Sequence, residues 1–220
     1  MDGLININGD NVQTLEILFL TTLISLLPSL LVMMTSFTRY IVVFSFLRSA
    51  MGTQQTPPNM VLIGIALFLT MITMSPVITQ IQTEAYEPYV AEEITQEEFI
   101  DRAQVPLKEF MLRQTENGTL EMFCRMDQIE PPADQEAAME LPLRIIVPSF
   151  MTCELKRAFE IGFYLYIPFM LIDIVVSSTL MSMGMIMLPP SMISMPFKLL
   201  LFISINGWEL LFSTLVQGFR

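Results

Sequence analysis

Three observations predict an all-α fold of integral-membrane type, with four long apolar helical segments and a small acidic helical insert. First, the 220-residue chain is 53% hydrophobic and only 15% charged. Second, its apolar residues gather into runs at 15–37, 60–82, 161–188 and 192–217, each longer than the ~18 residues a helix needs to span hydrocarbon. Third, the charge is confined. Residues 83–143 hold 15 of the 22 carboxylates and 4 of the 11 basic groups, which accounts for the whole net charge of -11, and the remainder of the chain sums to zero. The chain therefore divides into a helical region at 1–82, an acidic insert at 83–143 and a second helical region at 144–220.

The first run is expected to be a retained helix. The residues before it carry acids and no Lys or Arg, unlike the positively charged start of a secretory leader. Residues 38–59, TRYIVVFSFLRSAMGTQQTPPN, read as a helical extension that stops at Gly52 and the rigid Pro57–Pro58 pair. The third run would be about 42 Å long as a straight helix against a hydrocarbon core of about 30 Å, so it must tilt, bend or project, with Pro168 as a bend point. Within the insert, Phe99, Leu107, Phe110, Met111, Leu120, Met122 and Phe123 alternate with acids in an amphipathic helical pattern, and Asn117–Gly118 reads as a turn between two helices. The insert is too small for a large core of its own. Two readings are open for Phe110 and Phe123: packing against another chain or the main body, or an intramolecular pair of staples.

The composition excludes several chemistries. The chain has no histidine, which removes Ser-His catalysis and most zinc sites, and no basic stripe, which removes nucleic-acid binding. Cys124 and Cys153 lie in differently composed regions and read as free thiols. No phosphate-binding loop or dinucleotide motif is present. No enzyme activity, cofactor or metal is expected.

Two features carry chemistry. Asp173 lies in the middle of the third run, where a lipid-exposed carboxylate costs about 2.5–3.5 kcal/mol, so it needs a partner. Lys198 in the fourth run, beyond Pro189–Pro190, can reach the same depth across a helical hairpin, which favours an ion pair or hydrogen-bonded network within the chain or across subunits. The sharper rival is a proton relay through Asp173 with Glu160 and Glu209, as in a transporter or channel. Glu154, Lys156, Arg157 and Glu160, at the start of the third apolar helix, have the spacing of simple surface pairing.

The second feature is LMSMGMIMLPPSMISM (180–195), in which Met181, Met183, Met185 and Met187 alternate with other residues. In a helix they would divide between two faces, and in an extended segment they would share one. Gly184 and the prolines favour a loosened chain near Met185 and Met187. Presented by a ring of subunits, such thioethers would form a deformable collar; the alternatives are adaptable packing inside a bundle and Cu(I) ligation.

RYIVVFSFLRSAMGTQQTPPNMVLIGIALFLTMITMSP and, after the insert, ELKRAFEIGFYLYIPFMLIDIVVSSTLMSMGMIMLPPSMISMPFKLLLFISINGWELLF resemble the FliP family of flagellar export-gate proteins. GTQQTPPN, IDIVVSS and PFKLLLF together are highly specific, and GTQQTPPN resembles the flagellar branch more than its virulence-type relative. The resemblance covers the chain from Leu15 onward except the variable middle of the insert. It implies a non-enzymatic subunit of a type III export gate: five copies, joined by FliQ and FliR family subunits, forming a channel for unfolded flagellar substrates in the bacterial cell membrane at the flagellar basal body. It further implies kinked hairpins buried against each other, with the insert and both termini extracytoplasmic. By motif position the collar falls on Met181, Met185 and Met187, with Met183 in the same stretch and Ile186 where some members have methionine. Asp173 and Lys198 match the family's polar positions, Glu154 matches its acid at the entry to the third helix and Phe110 and Phe123 match its aromatic insert positions, and these last three are expected to contact neighbouring subunits.

Overall fold

The computed structural model describes residues 4–7, 10–53, 55–185 and 187–219. Gln54, Ile186 and residues 1–3, on which parts of the sequence reading fall, lie outside these. The architecture is overwhelmingly helical. It opens with one feature the sequence reading did not foresee, a two-stranded antiparallel hairpin of β1 (Leu4–Ile7) and β2 (Asp10–Gln13), with Leu4 opposite Gln13 and Ile7 opposite Asp10.

Helix α1 (Thr14–Met33) is followed by a break at Met34–Ser36 and then by α2 (Phe37–Met51). Gly52 ends α2 in the left-handed region at φ 77°, where a Cβ would be costly. The Arg48 guanidinium donates to the Asn59 side chain, and the Thr56–Pro57 bond within the turn is cis. Helix α3 (Asn59–Ile81) runs on through a π-helical turn at Gln82–Tyr86 into the short α4 (Glu87–Val90).

Beyond α4, the insert is a set of three further helices. Thr95 and Glu98 form a reciprocal capping box that starts α5 (Gln96–Gln114), and the Asp134 carboxylate accepts from the Ala137 N–H to start α7 (Gln135–Glu140). Between them lies α6 (Asn117–Met126). Here the expected Asn117–Gly118 turn is corrected. Both residues lie in the first turn of α6, and the connection is Thr115–Glu116, whose extended backbone makes the corner. Glycine costs little there, because the first N–H groups of a helix have no intrahelical partner to lose.

Helix α8 (Leu143–Ser182) has 40 residues, about 60 Å at 1.5 Å per residue, and passes through both Pro148 and Pro168 without ending. The charged cluster expected at the start of the third helix therefore lies well inside it. The expected fourth helix is corrected too. It divides into α9 (Pro190–Ser204) and α10 (Gly207–Gln217), which meet at 62° around Asn206, a left-handed residue at φ 50°. Asparagine tolerates that conformation because its short polar side chain bonds locally. A Cβ on the following Gly207 would lie 2.3 Å from the Phe202 ring, so the corner also requires glycine.

Two cores sit on successive halves of α8. Ile145, Ile146 and Phe150 pack against Phe110, Met111, Leu120 and Cys124 of the insert. Further along, Ala158 and Phe169 join Tyr40, Val43, Phe44 and Leu47 of α2, with Phe202, Leu211 and Leu215 closing the far side. At Gly162 the two helices approach so closely that a Cβ would lie 2.5 Å from Phe46. Among the described residues, the helical stretches Asn59–Val90 and Leu143–Ser182 are long and apolar enough to cross a membrane, and the bent α9–α10 pair makes a third if taken as one span.

Candidate functional site

Three arrangements stand out: two buried polar knots and a methionine-rich tip. The first knot closes the α8–α9 hairpin. Pro190 begins α9 at a position where the missing N–H costs nothing, and Ser194 and Lys198, one helical turn apart, both face Asp173 of α8. Lys198 Nζ lies 2.7 Å from Asp173 Oδ2, and the Ser194 hydroxyl donates to Oδ1 at 2.6 Å. Lys198 also donates to the Ala50 carbonyl at 3.0 Å, where the end of α2 carries partial negative charge. The lysine is buried, while the carboxylate is partly open on its other side.

The second knot centres on Arg39 of α2, and the sequence reading missed it. Its Nε and Nη2 grip the Glu154 carboxylate at 2.7 and 2.5 Å. Nη2 also donates to Gln114 Oε1 at 3.3 Å, and Nη1 to the Gly218 carbonyl at 3.2 Å. The guanidinium lies 3.5 Å from the centroid of the Phe219 ring, which in turn stacks on Phe110 and meets Tyr40 edge-on. One side chain thus ties together α2, α5, α8 and the segment after α10. Arg157 joins through Gln114, while Lys156 reaches outward to Glu116 at 2.8 Å.

This geometry bears directly on the expected subunit contacts. Glu154 is fully buried and its carboxylate is bound by Arg39 of the same chain, so the surface-pairing reading of its cluster is corrected for this residue. Phe110 is likewise occupied within the chain, between Phe150 and Phe219, and Phe123 packs at the edge of the insert core. The insert finds a ready apolar surface on the first half of α8, where Phe110 packs on Phe150, whereas Glu154, on α8 itself, is buried by its bond to Arg39. The available signal was Arg39 itself, a cation in an apolar stretch, which demands a partner as strongly as Asp173 does.

Outside the membrane-type helices, three titrating groups are displaced, the first being Glu98, whose carboxyl the Thr95 backbone N–H and then its hydroxyl hold below the usual range. The hydrogen bond and charge of Lys156 hold the Glu116 carboxyl below the usual range, and burial, followed by the charges of Asp127 and Glu121, pushes the Cys124 thiol up.

The third arrangement is the tip. Met181 occupies the last turn of α8; Met183 caps it, Gly184 takes φ 74°, and the Met185 N–H closes back on the Leu180 carbonyl at 3.0 Å. The four methionines therefore share neither a continuous helix nor an extended strand. Met181, Met183, Met185 and Met187 are 69, 62, 42 and 98% exposed in the single chain.

Long apolar helices fastened by paired interior charges define a helical protein of membrane type. Residues 20–215 match the family model described as the FliP family. The flagellar biosynthetic protein FliP of Aquifex aeolicus is 50% identical over 212 residues, covering 96% of this chain and 88% of the relative. That of Pectobacterium carotovorum is 49% identical over 214 residues, 96% of this chain and 82% of the relative. That of Bacillus subtilis is 45% identical over 224 residues and spans both chains completely. The chain belongs to the FliP family, and so to the components of flagellar biosynthesis.

Proposed function

We propose that this chain is a core subunit of the flagellar type III protein export gate. Sister copies, five by family resemblance, would surround a shared axis with FliQ and FliR family subunits, and unfolded flagellar substrates would pass between them. The subunit would act without catalysis. Its acidic insert, 83–143, would lie on the extracytoplasmic side, between helical regions at 1–82 and 144–220.

The observation that carries the reading is the tip. Four unbranched thioether side chains stand exposed where the α8–α9 hairpin turns. Thioethers with three rotatable bonds can close on one another as a gasket and re-form around a passing polypeptide of any sequence. Asp173, held by Lys198 and Ser194, would position the hairpin that presents them; its two occupied oxygens favour a positioning role over proton transfer.

Replacing Met181, Met183, Met185 and Met187 together by alanine should raise ion leakage through the assembled complex while assembly persists. Unchanged conductance would remove the gasket from the reading. Asp173→Asn should impair complex formation or secretion; a solute-dependent current through the isolated chain that Asp173→Asn abolishes would favour a transporter instead.

A further inference from the structure

We infer that Gly218–Phe219, the segment after α10, is a strap that joins the two cores into one cooperative unit, so that the acidic insert is locked to the helical body only once α10 is in place. The cores are strung along successive halves of α8, and a shared helix does not by itself make them open together. Something must couple them. Among the described residues, one partly buried apolar side chain, Phe219, packs against both.

The seam is built from rings. Phe219 stacks on Phe110 of the insert core, with centroids 6.0 Å apart and 19° between the planes, and meets Tyr40 of the body core edge-on at 5.6 Å. The ring of Phe219 is therefore the piece between the two. Arg39 holds it there, donating to the Gly218 carbonyl at 3.2 Å and laying its guanidinium over the Phe219 ring. Arg39 also reaches the insert directly, through Gln114, but at 3.3 Å this is the longest of its four bonds.

The strap depends on α10. The Gly218 N–H donates to the Thr214 carbonyl and the Phe219 N–H to the Val216 carbonyl, so the segment is carried on the last turn of that helix, which Leu211 and Leu215 seat in the body core. Because α10 follows the insert in the chain, this seam is the last to close. It is also the easiest to release, since Gly218 is exposed and Phe219 only half-buried. The inference rests on packing within one chain, so its failure leaves the export reading standing.

The test follows unfolding of the full chain in detergent by hydrogen exchange, read separately in the insert, at α5 around Phe110, and in the body, at α2 around Phe44. In the parent the two regions should open together. Phe219→Ala should separate them, with α5 exchanging about tenfold faster, the scale of one lost aromatic contact, before α2 opens. Leu62→Ala, a cavity in the body core away from the strap, should lower stability while the two regions still open together. Phe219→Leu, which keeps apolar bulk without the ring, should separate them by a smaller margin, and it decides the matter if the alanine variant does not fold. Separate opening in the parent, joint opening in the Phe219 variants, or separation by Leu62→Ala would overturn the strap.

Discussion

Four of the five N–H donors of Arg39 can be assigned to acceptors within the chain, and the face of the same guanidinium covers Phe219. Such a charge is stable in the interior only while its partner remains. Arg39→Met and Glu154→Leu, made singly, should each lower stability by about 3–5 kcal/mol, and the two together should cost far less than the sum. Thermal unfolding of the four proteins in detergent measures the coupling; additive losses would mean the pair is not the fastener. At Gly162 the limit is volume. Gly162→Ala should cost about 1–3 kcal/mol by driving a methyl into the Phe46 ring, and Phe46→Leu in the same chain should return part of it. The Asp173–Lys198 pair was legible in the sequence because an isolated charge in an apolar run must be compensated, and only one opposite charge lay across the next turn. Arg39 with Glu154 was not, because 115 residues separate them and Glu154 has a cation of its own three residues away in Arg157.

Among the elements, hydropathy marks where helices exist better than where they stop. The second run became α3 within a residue of its predicted limits, with Pro76 accommodated inside it. The fourth run is apolar too, apart from Lys198 and Glu209, yet Asn206 breaks it. Periodicity cannot register a single left-handed residue, although the Asn206–Gly207 pair is a recognised local stop. Asn206→Gly should therefore preserve the corner, whereas Asn206→Val should destabilise it by about 1–2 kcal/mol, read from the unfolding midpoint. The insert offers a pH test. Because Lys156 lowers the Glu116 carboxyl in the folded chain, that bond stabilises fully above the ordinary carboxylate range, near pH 4.3, and is lost as acid takes the pH down through the lower folded value. Lys156→Met should flatten this part of the stability profile below about pH 4.3 and leave the profile near neutrality parallel to that of the parent.

For the molecule as a whole, composition and charge distribution were enough to read a membrane-type helical chain with an acidic insert. What they could not convey is that the insert and the apolar helices share one backbone axis. The run at 161–188 looked like a separate helix because the charged cluster just before it, Glu154, Lys156, Arg157 and Glu160, read as its entrance. Yet Ile145, Ile146, Phe150 and Ala158 recur on the side that meets the insert and α2, and helix formation follows that packing. Helix α8 thereby becomes a strut of 40 residues with the insert fastened along one end and the methionines carried at the other. A lever of about 60 Å magnifies rotation: a tilt of about 5° at the insert would sweep the sulfur atoms through about 5 Å, roughly the width of one side chain. In the proposed gate, small rocking motions far from the throat would suffice, by leverage alone, to widen or narrow it.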